Sequence, residues 1–561
     1  MYHTFCRYKM LLAACCIPCY LFAQSAPQVV AKAPSDAYIG LTKMKDGEIR
    51  HYNYGEQAEP GHFYLSSHDD GQTWKKVAVP DSLYFADNCN PLTNTMVRLF
   101  NHGKGVYCVR YNADESGTST VSKVSDNALI MLKPPLFIRG GKRILVATHY
   151  AGADKATHNG ARVLYSDDDG ITWHESQKVN VPKHKKEAFH QGIRWNHDAV
   201  EPTLAELNDG RIWMVMRTAQ DTHYQSYSYD GGETWTTPVP APFYGTITMP
   251  AFTRLKDGRL LFVWNNTTPL PELATANGVW DDVFTNRNVL HAAISEDDGK
   301  SWIGCRELFL DERRNASDFG DTKGMDKSVH QTQAVETGDG HIVMAIGQHD
   351  LHRKIIRFSP DWLYEKERAC SFDNGLEDWS VFQYYKGIKG HCGYNRKEGG
   401  TLLSHPSKKQ KRILNLKHAQ NDSLLYSGEG AVWNFPALKR GAFITSIRIP
   451  EGSRGGELML NDRWFNPTDT TATWFSSYTL PLSREKLGIK DNGFHTLRIE
   501  WDLNDGKTLA RVFVDKQKRP VCELPLQNAI QHGISYVHFI SARKPDSIGF
   551  DIESVCTKHK Y

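Results

Sequence analysis

The stretch "SYDGGETW" (residues 228–235) is the strongest indication of the fold, because its pattern occurs four times in the chain. The pattern is Ser-x-Asp-x-Gly-x-Thr/Ser-Trp, and each copy is called an Asp box below. The other copies are "SHDDGQTW" (67–74), "SDDDGITW" (166–173) and "SEDDGKSW" (295–302). A pattern that returns in one chain predicts a fold built from similar units.

Each Asp box lies between two segments in which apolar and polar residues alternate, as in "ARVLYSDDDGITWHES". Alternation with a period of two is typical of strands, so the box is predicted to be a hairpin turn. The central Asp can accept backbone N–H groups across the turn, and the Gly can adopt a positive φ. The Trp is expected to pack into the seam with a neighbouring unit.

The tryptophans of successive boxes are 99, 62 and 67 residues apart, so the first gap is long enough to contain a unit without a box. Regular spacing with several strands in each unit is typical of a propeller. Six units are predicted, beginning near Tyr38, Asn94, Lys133, His197, Thr246 and Ser328. The predicted fold class is all-β, with a six-bladed β-propeller over residues 24–367 followed by a β-sandwich.

Residues 1–23 have the pattern of a secretory signal peptide. Arg7 and Lys9 precede the apolar run "MLLAACCIPCYLFA", which ends at the small residue Ala23. The run is too short to span a membrane. "LAAC", ending at Cys15, resembles a lipoprotein cleavage site, so lipid anchoring is the alternative. A secreted or periplasmic protein is expected, or else a surface lipoprotein.

Charge and cysteine content exclude several classes of function. Removal of the signal lowers the net charge from +3 to +1, which argues against a nucleic-acid-binding protein. Seven cysteines remain, and no two of them form a CxxC pair, so neither a zinc cluster nor a disulfide scaffold is predicted. No metal or other cofactor is expected, a membrane contact is expected only through a lipid anchor, and the oligomeric state is left open.

Residues 368–561 differ from the rest of the chain. The Asp boxes stop, and aromatic-rich alternating segments begin, including "FHTLRIEWDLNDGKTLARVFVD" (494–515), which predicts two strands around the turn 504–506. This region resembles a concanavalin-type β-sandwich. A structural cap on the propeller and a carbohydrate-binding accessory both remain open.

The Asp boxes, with "EPTLAELNDGRIWMVMRT" (201–218) and "MPAFTRLKDGRLLFVWN" (249–265), resemble the sialidase superfamily over about residues 35–365. The resemblance implies arginines that bind a substrate carboxylate, a tyrosine nucleophile activated by a glutamate, and an aspartate for proton transfer. Glu201 matches the glutamate, and Arg217 and Arg287 match two arginines. Guanidinium groups suit a carboxylate because two parallel charge-assisted hydrogen bonds hold it in plane.

Three departures from the family pattern put a normal sialidase mechanism in doubt. The first unit reads "AYIGLTKMKDG" (37–47) and lacks the expected arginine. His330 stands where the last unit should present the tyrosine. The proton-transfer aspartate has no counterpart except Glu56 or Glu59.

An exo-lyase that acts on a uronic acid needs a cation for the carboxylate, a base and an acid, but no nucleophile. The arrangement also resembles that of the rhamnose–glucuronate lyases, which pair a propeller with a β-sandwich. The predicted catalytic residues are His149, Tyr150, His197, Glu201 and His330. The predicted substrate-binding residues are Arg194, Trp195, Arg217, Arg287 and His349.

The leading hypothesis is an exported enzyme that removes a terminal sugar from an acidic residue of a complex acidic glycan by β-elimination, such as a rhamnose-α-1,4-glucuronate lyase. The alternative is a sialidase-like exo-glycoside hydrolase of an α-linked acidic sugar. A catalytically inactive glycan-binding protein is the third reading. At the level of residues, Glu201 and Arg217 can also be a structural ion pair, and His149, Tyr150 and His330 can be core residues.

Overall fold

The structure is a computed structural model that describes most of the chain between residues 26 and 559. The described ranges are 26–56, 58–115, 118–150, 160–185, 198–245, 247–267, 287, 289–310, 313–316, 329–348, 353–384, 396–421 and 427–559. The predicted signal peptide, residues 1–23, lies outside them. Across these ranges, every helix is too short or too polar to cross a lipid bilayer.

After the first strand, β1 (Gln28–Ala31), the chain up to Glu175 forms three antiparallel sheets of four strands. The first sheet contains β2 (Leu41–Lys43), β3 (Ile49–Tyr52), β4 (Phe63–Ser67) and β5 (Lys75–Ala78). The second contains β6 (Asn88–Cys89), β7 (Thr95–His102), β8 (Gly105–Asn112) and β9 (Thr120–Ser125). The third contains β10 (Leu136–Ile138), β11 (Arg143–His149), β12 (Ala161–Ser166) and β13 (His174–Glu175).

Three further four-stranded antiparallel sheets follow, and the last of them is completed by β1. The fourth sheet contains β14 (Val200–Glu206), β15 (Ile212–Arg217), β16 (Thr222–Ser228) and β17 (Val239–Tyr244). The fifth contains β18 (Ala251–Arg254), β19 (Leu260–Trp264), β20 (Val289–Ser295) and β21 (Ile303–Leu310). The sixth contains β22 (Thr332–Glu336), β23 (Ile342–Ile346) and β24 (Lys354–Phe358), with β1 paired to β24.

The first strands of all six sheets line one cavity of about 840 Å³. Strand β2 contacts both β6 and β22, and β14 contacts both β10 and β18. The second and third sheets share a hydrophobic cluster that joins β7 and β8 to β11. Six sheets therefore surround a common cavity, and the N-terminal strand is held in the same sheet as the last strands of this group.

The Asp boxes connect the third and fourth strands of the first, third, fourth and fifth sheets. In the fourth sheet, Asp230 accepts hydrogen bonds from the backbone N–H groups of Glu233 and Thr234, each 3.0 Å long. Gly232 has φ +98°, and its N–H donates to Ser228 Oγ. The predicted hairpin turn is confirmed, and the second sheet is the predicted unit without a box.

The box tryptophans lie between sheets, as predicted. Trp235 of the fourth sheet joins a hydrophobic cluster with Leu145 of the third sheet. Trp302 of the fifth sheet lies 6.3 Å, centroid to centroid, from Trp213 of the fourth sheet. A Cβ atom on Gly299 would lie 2.4 Å from the Trp213 ring, so this box requires glycine for close approach as well as for its positive φ.

Residues 369–559 form a separate group of strands. Their order along the chain is β25 (Ala369–Ser371), β26 (Trp379–Ser380), β27 (Phe382–Tyr384), β28 (Arg396–Glu398), β29 (Thr401–Ser404), β30 (Arg412–His418), β31 (Gly430–Leu438), β32 (Arg440–Arg448), β33 (Gly456–Asn461), β34 (Tyr478–Leu482), β35 (His495–Asp502), β36 (Leu509–Val514), β37 (Cys522–Pro525), β38 (Ile534–Ser541) and β39 (Asp546–His559). Strands β35 and β36 pair around the predicted turn 504–506.

These strands form an eight-stranded sheet, a five-stranded sheet and a small pair. The larger sheet has the order β29-β30-β39-β32-β35-β36-β37, with β25 also paired to β39, and the five-stranded sheet has the order β26-β31-β38-β33-β34. One continuous hydrophobic cluster contains residues of both sheets. Short helices are Ala472–Phe475 and Arg484–Leu487, and 3-10 turns are Arg139–Gly141, Pro360–Tyr364 and Asn504–Gly506.

A buried chain of hydrogen bonds joins the fifth sheet to the five-stranded sheet. Tyr536 of β38 donates its hydroxyl hydrogen to Glu307 Oε1 of β21, 2.7 Å away. His291 Nε2 of β20 lies 2.5 Å from the same hydroxyl. Trp464 adds a backbone hydrogen bond to Asn266. The two groups of strands are therefore packed directly against each other.

Candidate functional site

Glu201 and Arg217 lie at one end of the hairpin β14–β15. Arg217 is paired with Val200 across the two strands, and Glu201 directly follows Val200. Arg217 NH1 donates to Glu201 Oε1 over 2.6 Å, and both side chains are buried. Burial raises the pKa of Glu201, but the charge and hydrogen bond of Arg217 outweigh it and hold that pKa well below its ordinary value. Glu201 is therefore a permanent carboxylate.

Three residues other than glycine adopt left-handed backbone conformations in this region. Their φ angles are +47° at Glu201, +49° at Ile247 and +67° at Gln331, which follows His330. A β-branched residue such as Ile247 rarely adopts this conformation, and each such residue costs of order 1–3 kcal/mol. Backbone strain of this kind collects at functional sites, which favours a functional role over a purely structural one for this region.

His149, at the end of β11, packs against Glu201. Its Nδ1 accepts the backbone N–H of Glu201 over 3.2 Å. Burial lowers the pKa of His149 to about 4; Glu201 opposes this shift, and Arg217 and Lys133 reinforce it. The ring is therefore neutral near pH 7, with its hydrogen on Nε2.

His330 and Arg287 form a second part of the site. His330 Nδ1 accepts the backbone N–H of Met249 over 3.4 Å, and His330 Nε2 lies 2.6 Å from Gln348 Oε1 and 3.0 Å from Arg287 NH1. Arg287 also donates to the Ile247 carbonyl. An electrostatic interaction with His330 helps to lower the pKa of Glu201, so the two parts of the site are close together.

Lys133 and Tyr38, which were not predicted as site residues, complete this cluster. Lys133 lies three residues before β10, and its Nζ contacts Met249 Sδ. Tyr38 lies three residues before β2, and Lys133 Nζ is 5.3 Å from the centroid of its ring. Both side chains are partly exposed and line the 840 Å³ cavity.

The environments of Tyr38 and Lys133 favour the neutral form of each. Burial lowers the pKa of Lys133 to about 8, against the charge of Glu201 and together with that of Arg217. Burial also raises the pKa of Tyr38 well above its ordinary value. Nearby carboxylates add to the shift in Tyr38, namely Asp36, Glu56, Glu201 and Asp87.

A signal for these two residues was present in the sequence. Tyr38 and Lys133 were each predicted to begin a unit, as was His197, and His330 lies two residues before β22. Tyr38 and Lys133 both line the cavity from the segments that precede β2 and β10. Reading the start of every unit as a site position would have found both residues.

Tyr150 does not join the cluster. Its hydroxyl donates to Glu175 Oε1 over 2.9 Å, and the guanidinium of Arg162 lies 4.0 Å from its ring centroid. Glu175 belongs to β13, the outermost strand of the third sheet. These contacts hold the Tyr150 side chain at the edge of the sheet, and its catalytic role stays a prediction.

Four predicted site residues lie outside the described residues. They are Arg194, Trp195, His197 and His349. The described residues bring together His149, Glu201, Arg217, Arg287 and His330, and add Tyr38 and Lys133. The arrangement provides cations for an acidic ligand, hydrogen-bond donors, an amine whose pKa is lowered to about 8 and a protonated phenol.

Several solved structures are similar to this chain. A protein of unknown function from Dyadobacter fermentans is 17% identical, with a TM-score of 0.40, over 60% of this chain and 97% of that one. A Hadza microbial sialidase is also 17% identical, with a TM-score of 0.41, over 60% and 69%. A Trypanosoma rangeli sialidase in complex with 2,3-difluorosialic acid is 12% identical, with a TM-score of 0.35, over 93% and 91%.

Residues 122–344 match a family model described as a BNR repeat-like domain. The matched range contains three of the four Asp boxes, together with Glu201, Arg217, Arg287 and His330. The resemblance to the sialidase superfamily that the Asp boxes predict is confirmed by this match.

Proposed function

We propose that the six four-stranded sheets are the blades of a six-bladed β-propeller, and that residues 368–561 form a β-sandwich of the concanavalin type. The common cavity lined by all six first strands supports the propeller. Pairing of β1 with β24 supports closure of the ring, because it joins the two ends of the propeller region in one blade. The proposed propeller spans residues 24–367 and carries the candidate site.

The protein is proposed to be an exported carbohydrate-active enzyme. The BNR repeat-like domain and the strained, charged site near the cavity support a glycan-processing function. Fold alone does not define a reaction, so the reaction is inferred from the residues of the site.

The proposed reaction is β-elimination at a uronic acid residue, with release of a terminal sugar, as in a rhamnose-α-1,4-glucuronate lyase. One observation carries this choice. His330 occupies the position where hydrolysis by the sialidase mechanism requires a tyrosine, and its ring is held by Met249, Gln348 and Arg287. Elimination needs no nucleophile at that position. Arg217 and Arg287 would stabilise the negative charge that develops next to the carboxylate.

A sialidase-like hydrolase remains the second candidate because of Tyr38. Glu201 is among the carboxylates whose charge raises the pKa of Tyr38, so a tyrosine and a glutamate are close together here as well. In this alternative, Tyr38 would act as the nucleophile from the first blade. Hydrolysis consumes water and leaves a saturated acidic sugar.

The experiment that separates these functions uses the full-length exported protein and a glycan whose terminal neutral sugar is linked to O4 of a glucuronate. Elimination leaves a conjugated double bond between C4 and C5, so ultraviolet absorbance should rise in step with sugar release. Sugar release with flat absorbance would refute the lyase and favour the hydrolase. Binding without any product across a panel of acidic glycans would indicate the glycan-binding protein.

A further inference from the structure

We propose that Lys133 and Tyr38 are the base and the acid of the elimination, working side by side at the cavity. This assignment rests on the proposed lyase function and adds two catalytic residues to it. It replaces the histidines that the sequence favoured as the proton-transfer groups.

Neither described histidine of the site has a nitrogen lone pair available for a substrate proton. The Nδ1 atoms of His149 and His330 accept backbone N–H groups, from Glu201 and Met249 respectively. The hydrogen of the neutral His149 ring must then be on Nε2, so this nitrogen is a donor and cannot remove a proton. His330 Nε2 lies within hydrogen-bond distance of both Gln348 Oε1, at 2.6 Å, and Arg287 NH1, at 3.0 Å, so it is occupied whether it donates to the amide oxygen or accepts from the guanidinium.

Glu201 is also unsuitable as the base. Its hydrogen bond to Arg217 and the charge of that residue hold its pKa well below the ordinary value, although burial acts in the opposite direction. A carboxylate stabilised in this way is a weak proton acceptor, because the best catalytic base has a pKa near the working pH. Glu201 instead orients Arg217 and His149.

Lys133 meets the requirements for the base. It lies beside Arg217 and Glu201, lines the cavity and is partly exposed. Its pKa is lowered to about 8, mainly by burial, so the free amine is a minor form at pH 7 and becomes more abundant as the pH approaches 8. An amine poised in this way is a known general base in enzymes.

Tyr38 is the matching acid. Burial, together with the charges of nearby carboxylates, raises the pKa of Tyr38 and keeps the phenol protonated. A phenol held in its protonated form can donate its hydrogen to a leaving oxygen. Lys133 Nζ lies 5.3 Å from the Tyr38 ring centroid, so one bound sugar can contact both residues.

The proposed step is balanced without any co-reactant. The Lys133 amine takes the proton from C5 of the uronate, and the electron pair of that C–H bond forms the C4–C5 double bond. The C4–O4 bond breaks with its electron pair on O4, which takes the proton of the Tyr38 phenol. The Lys133 ammonium then returns its proton to the Tyr38 phenolate, and both residues are restored.

The position of both residues on one side of the substrate has a stereochemical consequence. In a glucuronate, the hydrogen on C5 and the oxygen on C4 lie on the same face of the sugar ring. In a galacturonate they lie on opposite faces. Neighbouring base and acid groups therefore favour the glucuronate configuration at C4 and C5.

The decisive variants are Lys133→Arg, which keeps the positive charge without a usable base, and Lys133→Ala. Both should reduce the rate of double-bond formation roughly a hundredfold or more, with little change in KM. Added primary amines should restore activity to Lys133→Ala, and the rescued rate should depend on the pKa of the amine. A purely structural or charge-binding lysine would be replaced by arginine and would show no such rescue.

The matched control is Lys45→Arg, at an exposed lysine of the first sheet's β2–β3 turn, which should leave the rate unchanged. Full activity in a folded Lys133→Arg protein would overturn the assignment. Thermal unfolding of each variant establishes that it is folded.

Wild-type behaviour distinguishes failure of this assignment from failure of the proposed function. If wild type forms no unsaturated product from any uronate, the lyase and the pair are both overturned. If wild type is active but prefers 4-O-substituted galacturonate to glucuronate, only the pair is overturned. The assignment also predicts that kcat/KM rises with pH up to about 8, because the free amine of Lys133 is the active form.

Discussion

At the scale of single residues, the site depends on positive charges held in fixed positions. Arg217 is fixed by Glu201, and Arg287 is fixed by the Ile247 carbonyl and lies beside His330. Guanidinium groups pre-oriented in this way lose little freedom when they bind a carboxylate. Removal of either arginine should therefore mainly weaken the stabilisation of the substrate carboxylate during the reaction.

We predict that Arg287→Ala lowers kcat/KM roughly ten- to hundredfold, because a hydrogen bond to a charged group contributes about 1.5–3 kcal/mol. Initial rates of sugar release measure the effect. Arg259→Ala is the control, since this arginine pairs with Asp257 in an exposed turn of the fifth sheet. Unchanged turnover in a folded Arg287→Ala protein would remove Arg287 from the substrate-binding site.

His330→Tyr restores the residue type that the sialidase pattern expects. Under the lyase mechanism the change should only reduce activity, because tyrosine cannot reproduce the hydrogen bond from Met249 to Nδ1. We expect at least a tenfold lower rate of double-bond formation. The measurement is run in parallel with an activated aryl sialoside, and new hydrolysis of that compound would support the hydrolase instead.

At the scale of elements, the Asp boxes hold the hairpins that build the sheets. Asp230 accepts two backbone N–H groups and the Ser228 hydroxyl hydrogen. These hydrogen bonds hold the pKa of Asp230 at about 2, although burial acts in the opposite direction. Because the pKa of Asp230 is depressed in the folded protein, these hydrogen bonds contribute fully to stability above pH 3.8. This contribution to stability is lost as the pH falls towards 2.

Asp230→Ala should therefore destabilise the protein by about 2–3 kcal/mol at pH 7, since several hydrogen bonds of about 1 kcal/mol each are lost. Thermal unfolding measures the change. Tyr229→Ala in the same box is the control, because this side chain is 72% exposed, and it should stay within about 0.5 kcal/mol of wild type. Equal effects of the two substitutions would contradict the role of Asp230.

At the scale of the whole molecule, Glu307 links the two groups of strands. It accepts from Tyr536 within a buried chain that also includes His291. Burial raises the pKa of Glu307 from 4.5 to about 7, partly opposed by the Tyr536 hydrogen bond. The folded protein therefore keeps a proton that the unfolded chain releases between pH 4.5 and 7.

Because the pKa of Glu307 is raised in the folded protein, the contribution of Glu307 to stability should fall as the pH rises from about 4.5 to 7. Glu307→Gln keeps the shape without titrating and should lose this dependence. We expect the Tm of wild type relative to the variant to be lower at pH 8 than at pH 5, by on the order of a few degrees. A difference that does not change with pH would show that Glu307 is already ionised at pH 5.

Local patterns in the sequence were sufficient to predict the Asp-box turns and part of the candidate site. The Asp boxes predicted their turns because every donor and acceptor lies within eight residues. Glu201 and Arg217 were found because one hairpin brings them together, with Val200 and Arg217 paired across it. Arg287 and His330 were found through family resemblance alone.

Only the tertiary structure decided which residues share the site and what protonation state they have. Tyr38 and Lys133 meet across different sheets, 95 positions apart, and no local pattern encodes that contact. Tyr150 follows His149 directly, yet it extends to Glu175 at the sheet edge, because successive side chains of a strand point to opposite faces. Whether a histidine can act as a base depends on which backbone N–H its Nδ1 accepts, and that follows from packing between sheets.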